Sequence, residues 1–256
     1  MNAEVLLMFT LACDRAYLYA HPDRELNADE QARYDTALGH RSQGVPSQYI
    51  TGHQEFWGMD FIVSPAVLVP RPETEHLLEA VLPLARAMEH PRIVDVGTGS
   101  GCIALALAKE LPQAEIHATE ISPAALEIAE ANAARHQLES RVRFHDTDLL
   151  RGLPTGSFDF VVSNPPYVGE SEEDQVQLEV RKFEPRNAVF AGPTGIEVIG
   201  KLIPAAQDAL QPGGWLVFEI SGTIAEEVRK LLMGWGEVRI INDLQGIARV
   251  AIAQRS

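Results

Sequence analysis

Cysteine is almost missing from this chain. Among 256 residues there are two, Cys13 and Cys102, at unrelated spacings. They form neither a disulfide framework nor a cysteine-based metal motif. The eight histidines show no ligand spacing either, so no metal is expected. Long apolar runs are lacking: nothing approaches the roughly 18 residues that span a bilayer. The N-terminus has no basic stretch followed by an apolar core and a small-residue cleavage site. A soluble cytoplasmic protein without membrane attachment is therefore expected. Positive charge is also scarce, with 21 Lys and Arg against 36 Asp and Glu, a net charge of −15 and a pI near 4.9. That balance argues against a general nucleic-acid binder, which carries a basic footprint, but leaves room for a local basic groove. No internal repeat or low-complexity stretch is evident.

What is present fits one α/β domain with a small appendage, given 256 residues of which 46% are hydrophobic. Residues 1–47 read as helical. Asn27-Ala28-Asp29-Glu30 looks like a helix start with early acids, and Tyr34 and Leu38 share a face of the helix it opens. This subdomain reads either as a packing appendage or as a docking platform for a macromolecule. Residues 48–70 are aromatic and β-branched, punctuated by Gly52 and Gly58, and read as a β-hairpin linking two domains. Pro70-Arg71-Pro72-Glu73-Thr74-Glu75 then opens a helix, with proline and acids suited to a first turn. The prolines flanking Arg71 suggest a shaped loop near a site.

From residue 92 strands and helices alternate, the pattern of a parallel sheet. The strand Arg92–Val96 runs into Gly97-Thr98-Gly99-Ser100-Gly101 and then a helix from Cys102 to Glu110. A second strand, Glu115–Glu120, is followed by Ser122 as a helix cap with Pro123 at the first helical position. The strand Val142–Phe144 leads to Asp146-Thr147-Asp148-Leu149. A helix over 195–210 closes at Pro212-Gly213-Gly214, a fifth strand covers Trp215–Ile220, a helix lies around Ile224–Met233, and two more strands finish the chain. The acids Glu170, Glu172, Glu173 and Asp174 read as solvated surface.

The turn from Gly97 to Gly101 lets backbone approach a ligand closely. Its glycines stand at 97, 99 and 101, which fits the dinucleotide fingerprint poorly, and no lysine follows, which excludes a Walker-type phosphate loop. In a parallel sheet, ligands lie past the carboxyl ends of strands at the switch point. Asp95, Glu120 and the glycines all fall on that edge. So does Asn164-Pro165-Pro166-Tyr167, which ends the buried strand Phe158–Ser163. Two prolines fix the backbone and remove donors, leaving a stiff, acceptor-rich segment backed by an aromatic ring.

Asp95 to Gly101 resembles the first motif of S-adenosylmethionine-dependent methyltransferases. Asn164-Pro165-Pro166-Tyr167 resembles the motif of those that methylate a planar NH2 nitrogen. The first resemblance implies Asp95 near the methionine amino group, Glu120 on the ribose hydroxyls, and Asp148 and Leu149 beside adenine, with Asp146 a competing acid. The second implies that Asn164 and the Pro165 carbonyl accept the two amide hydrogens while Pro166 and Tyr167 hold the planar group. Gln48–Gly52, Glu55-Phe56-Trp57, Val69–Glu75, Phe183-Glu184-Pro185 and Ala188–Gly192 together resemble the protein-(glutamine N5) methyltransferases of peptide chain release factors (the PrmC/HemK family). That resemblance implies a Rossmann-like seven-stranded class I methyltransferase domain over 71–256, a helical docking subdomain over 1–47 and the linking hairpin between them. It implies methyl transfer to the glutamine of a Gly-Gly-Gln motif, with S-adenosylhomocysteine as the other product, release factors as protein partners, no stable nucleic acid, and a monomer. Gly97, Thr98, Gly99, Ser100, Gly101, Glu120, Leu149 and Asn164 would contact the cofactor. The helical part looks shorter than is usual, Glu120 replaces a common Asp, Leu149 replaces an aromatic in some relatives, and Ala248 replaces a more usual Asp. The alternatives are a nucleic-acid amino-methyltransferase and a non-enzymatic adaptor.

Overall fold

The computed structural model describes residues 2–256. Its first elements are helices: α1 (Asn2–Leu11), α2 (Arg15–Ala20), α3 (Ala28–Ser42) and α4 (Ser47–Thr51). Asn27 and Glu30 close a reciprocal capping box at the start of α3, which satisfies donors that a helix start leaves orphaned. The Tyr34 hydroxyl donates to the Ala3 carbonyl at 3.1 Å, tying α3 to α1.

The hairpin is shorter than the sequence pattern suggests. It consists of β1 (His53–Phe56) and β2 (Met59–Ile62), while Tyr49, Ile50 and Thr51 lie in α4. The reason is local. Pro46 precedes the first turn of α4 and Gly52 ends it in a left-handed conformation, φ 77°, the usual role of a glycine there. At the hairpin tip Trp57 and Gly58 have φ of 53° and 63°, as a two-residue turn with left-handed central residues requires. Residues 63–71 then run without strand pairing.

The second part is a layered α/β unit: α5 (Glu75–Ala85), β3 (Arg92–Val96), α6 (Cys102–Glu110), β4 (Glu115–Glu120), α7 (Pro123–Arg135), β5 (Val142–Asp146), β6 (Phe158–Ser163), β7 (Val168–Gly169), α8 (Leu178–Phe183), α9 (Arg186–Val189), β8 (Phe190–Gly192), α10 (Glu197–Ala209), β9 (Leu210–Glu219), α11 (Ala225–Leu231), β10 (Gly236–Asn242) and β11 (Ala248–Gln254). Seven strands form one sheet in the order β10-β11-β9-β6-β3-β4-β5. The strands from β9 to β5 run parallel, and β10 and β11 pair antiparallel at one edge. The seven-stranded expectation holds. Strand β9 starts at Leu210, earlier than expected, because Gln211–Gly214 bulge out of register between the Phe158 and Phe160 pairings. The Pro-Gly-Gly run thus interrupts a strand instead of closing the preceding helix.

Each face of the sheet carries its own core. Ile93, Phe160, Val162 and Val217 pack with α5, α6 and the hairpin phenylalanines. Val94, Val96, Val161 and Phe218 pack with α10 and α11. Adjacent residues of one strand enter opposite cores, as the two-residue period of a strand dictates. Buried Asn132 of α7 joins the hairpin to the turn after β3. Its Oδ1 accepts from Ile62 N at 2.7 Å, and its Nδ2 donates to Ile62 O at 3.0 Å and Ser100 O at 2.9 Å. The chain leaves β3 in one direction through β4 and β5, then returns to β6 on the other side of β3. The switch point therefore lies at the carboxyl ends of β3 and β6, where a crevice is expected.

Candidate active site

A cleft of about 570 Å³ opens at that point. Gly97, Thr98, Gly99 and Ser100 form one wall, Glu120, Ile121 and Ser122 the next, and Thr147, Asp148 and Leu149 the end. Asn164, Pro165 and Pro166 face them, joined by Pro70, Arg71 and Thr74. The structure thus brings together most of the residues selected from sequence.

The glycine turn is held by a carboxylate. Glu120 Oε2 accepts from Gly99 N at 3.0 Å, and Oε1 accepts from Ile121 N and Ser122 N, both at 2.9 Å. A carboxylate offers about four acceptor sites, so three backbone donors leave it capacity for a hydroxyl. Gly97 and Gly99 have φ of 71° and 56°, and a Cβ at either would meet no atom within 4 Å. Their backbone faces open space, and the positive φ is what requires glycine there. Leu149, at φ 51°, is a bulky residue in the left-handed region, an uncommon state that points to functional sites.

Three selected residues do not reach the wall. Asp95 is fully buried beneath the turn. Its Oδ2 accepts from Thr98 Oγ1 at 2.6 Å and its Oδ1 has no partner. Burial pushes its carboxyl up to about 7, the Thr98 hydrogen bond opposing. Gly101 serves packing: a Cβ there would lie 3.3 Å from that of Ala129 in α7 and 3.2 Å from Leu105 Cδ1. Tyr167, expected against a planar substrate, is not among the residues that line the cleft. Its ring joins the core under α10 and its hydroxyl donates to Glu219 Oε1 at 3.0 Å, because a phenol taken out of water needs a partner. Burial, with the Glu219 charge beside it, raises its pKa. Asp146 is also absent from the wall, which leaves Asp148 as the acid at that end.

Other participants had not been singled out as site residues. Asn164 Nδ2 donates to Thr74 Oγ1 at 3.1 Å, across 90 residues of sequence. Buried Glu184 accepts from Val69 N at 3.2 Å and from Arg71, fastening the segment before α5 to the one after α8. Ile121 lines the cleft while 58% exposed, an apolar surface open to a flat ligand; its one signal was an apolar residue directly after a strand-end acid. The acids of 170–174 lie at the surface, as expected, and two of them are paired there. Arg186 grips Glu173 with bonds of 2.7 and 3.0 Å, and Arg181 donates to Asp174 at 2.9 Å. Among the described residues no group of three or more His, Cys, Asp or Glu side chains is placed to hold a metal ion, and no helix is long and apolar enough to cross a membrane.

A glycine turn pinned by a strand-end carboxylate, facing Asn-Pro-Pro across the switch point of a seven-stranded sheet, defines a class I methyltransferase. Residues 73–182 match the methyltransferase small domain family and residues 1–52 match the PrmC N-terminal domain. The chain is 55% identical, over its full length, to the release factor glutamine methyltransferase of Koribacter versatilis, covering 91% of that protein. It is 40% identical to that of Geobacter sulfurreducens, with 98% of this chain and 87% of the relative covered. The chain belongs to the release factor glutamine methyltransferase family. Solved structures agree in fold. The hMettl16 catalytic domain, solved with an RNA hairpin, is 18% identical with a TM-score of 0.64 over 95% of this chain and 93% of that one. A methyltransferase from Pyrococcus furiosus is 22% identical with a TM-score of 0.53 over 88% and 98%.

Proposed function

We propose that this enzyme transfers a methyl group from S-adenosylmethionine to the side-chain amide nitrogen of the glutamine in a release-factor Gly-Gly-Gln motif. The observation that carries this is the joining, in one cleft, of the Glu120-pinned glycine turn with Asn164-Pro165-Pro166, in a chain 55% identical to a release factor glutamine methyltransferase.

The residues present fit the methyl donor. Open glycine backbone and spare acceptor capacity on Glu120 suit a ligand that carries hydroxyls. Glu120 would take the ribose hydroxyls, Ile121, Asp148 and Leu149 the adenine, and the turn the methionine end. When bound, the sulfonium supplies an electrophilic methyl group. Asp95 lies below the surface, so its charge would act through the turn it supports.

Asn164 meets no protein donor at Oδ1 among the described residues, since its one side-chain hydrogen bond uses Nδ2. That oxygen and the Pro165 carbonyl are the acceptors for the two hydrogens of the glutamine amide. An amide nitrogen is a weak nucleophile because its lone pair is delocalised. Accepting both hydrogens turns that lone pair toward the methyl group. With the donor bound, the new nitrogen–carbon bond would replace the donor's carbon–sulfur bond, S-adenosylhomocysteine would leave as the neutral sulfide, and one amide proton would pass to solvent. The gain comes from alignment and preorganised dipoles, and proline stiffness keeps the acceptors in place. Tyr167 buttresses this segment from behind. Residues 1–47 would dock the release factor, residues 48–70 would link them to the methyltransferase domain over 71–256, and a cytoplasmic monomer would do the work.

The test is label transfer from methyl-labelled S-adenosylmethionine to a release factor, to its Gln→Ala variant, to DNA and to RNA in separate reactions. Label on the release factor alone is expected. Label on the Gln→Ala protein or on nucleic acid overturns the reading. Label on none of them favours an adaptor.

A further inference from the structure

A planar amide on two methylenes needs a flat apolar surface beside it, and Tyr167 does not offer one to the cleft. Phe190 does. Among the described residues it is the one aromatic side chain that lines the cleft. It opens β8 and pairs in parallel with Val168 of β7, four residues past Asn164. That pairing puts it at the Asn-Pro-Pro end of the cleft. Glu120 and Asp148 belong to the other end, where β4 and β5 finish.

Packing does not account for the ring. Phe190 is half-buried and belongs to none of the fold's hydrophobic clusters. It is held from one side by a cation. The Arg186 guanidinium carbon lies 4.4 Å from the ring centroid, well within cation–π range. Bonds of 2.7 and 3.0 Å tie that guanidinium to both oxygens of Glu173, a fork that fixes its plane. The Arg186 side chain is 56% exposed, so the brace stands on the solvent side and the rest of the ring borders the cleft. An aromatic ring kept out of every core, fixed in place and turned to a cleft is a surface for a ligand.

We propose that Phe190, braced by Arg186, is the wall against which the glutamine side chain lies. This rests on the glutamine reading above. The ring covers the two methylenes and the face of the amide, while Asn164 and the Pro165 carbonyl meet the amide hydrogens. Phe190 thus has the task that the motif resemblance gave to Tyr167. Arg186 acts through the ring and does not touch the substrate.

The experiment measures kcat and KM for the release factor, and S-adenosylhomocysteine affinity by calorimetry. It compares the unaltered enzyme with Phe190→Ala, Phe190→Leu, Arg186→Gln and Phe190→Ala/Arg186→Gln. Phe190→Ala should lower kcat/KM for the release factor about tenfold or more, with S-adenosylhomocysteine affinity within about twofold. Phe190→Leu stays apolar without a flat face and should lose about threefold to tenfold. Arg186→Gln should lose less than Phe190→Ala and nothing further once the ring is gone, as for residues acting in series. The proposal is overturned if Phe190→Ala keeps kcat/KM within about twofold, if it weakens S-adenosylhomocysteine binding as much as it lowers kcat/KM, or if the two single losses multiply in the double variant. Should Phe190→Ala fail to fold, an unchanged kcat/KM in Phe190→Leu overturns it. The unaltered enzyme separates the two readings. No label on its release factor overturns the glutamine reading and this proposal together. Label there, with no loss in Phe190→Ala, overturns this proposal alone.

Discussion

The two walls of the cleft are built differently. On the donor side, one carboxylate gathers backbone: Glu120 takes the N–H groups of Gly99, Ile121 and Ser122. On the acceptor side, side chains contact side chains: Asn164 donates to Thr74 and Tyr167 to Glu219. Backbone donors are fixed once the strand and turn are formed. Side-chain links depend on rotamers and on the direction of each hydroxyl, so they need buried neighbours to keep one arrangement. In the proposed mechanism the donor wall would bind one nucleoside-like ligand in a set place, and the acceptor wall would meet the incoming amide with side chains whose positions depend on their neighbours.

Substitutions on each wall should break this contrast in different measurements. The largest effect belongs to Asn164→Ala. Losing a preorganised partner of the reacting group costs about 10²–10³ in kcat, while affinity for S-adenosylhomocysteine by calorimetry, to which Asn164 is expected to be one contact of several, should fall far less. Glu120→Ala comes next. Bonds to a charged group are worth about 1.5–3 kcal/mol, so affinity for S-adenosylhomocysteine should fall about tenfold to a hundredfold. An unaltered affinity would mean that the turn holds its shape without that carboxylate. Arg71→Ala leaves Glu184 buried beside Val69. Because the Arg71 side chain is 33% exposed, the cost should be about 1–3 kcal/mol, below that of breaking a fully buried pair, and a urea titration measures it. The smallest effect is that of Asn27→Ala, far from both walls. Loss of the capping box should cost about 1 kcal/mol, seen as a lower melting temperature with kcat unchanged.

The same contrast explains what could be read from the sequence. Gly97–Gly101, Glu120, Asp148 and Leu149 follow their strands directly, so strand order alone brings them to one edge. Asn164, Pro165 and Pro166 were legible for the same reason. The Asn164–Thr74 and Tyr167–Glu219 contacts were not, because they join distant segments and no local pattern records them. Tyr167 was assigned to the planar group through the motif resemblance; its hydroxyl bonds to Glu219, a partner that no local pattern records. Asp95 and Gly101 lie within the glycine motif and yet serve from beneath it. In the fold, β-branched and aromatic residues at 49–51 suggested a strand, and Pro46 and Gly52 outweighed them by framing a short helix. Hairpin, sheet and helix order were otherwise readable from periodicity and turn residues.

The partners on the acceptor wall come from distant parts of the chain. Thr74 and Asn164 are 90 residues apart and Tyr167 and Glu219 are 52 apart, whereas Gly99 and Glu120 are separated by 21. Closing long loops costs entropy before contacts reward it. The donor wall needs only β3, the turn and β4. The Asn164–Thr74 link needs the chain through the end of β6, and the Tyr167–Glu219 link waits until β9 has joined the sheet. A chain folded only as far as β6 would thus have both walls of the cleft in outline, and the anchor behind Asn164-Pro165-Pro166 would arrive with the last third of the sequence.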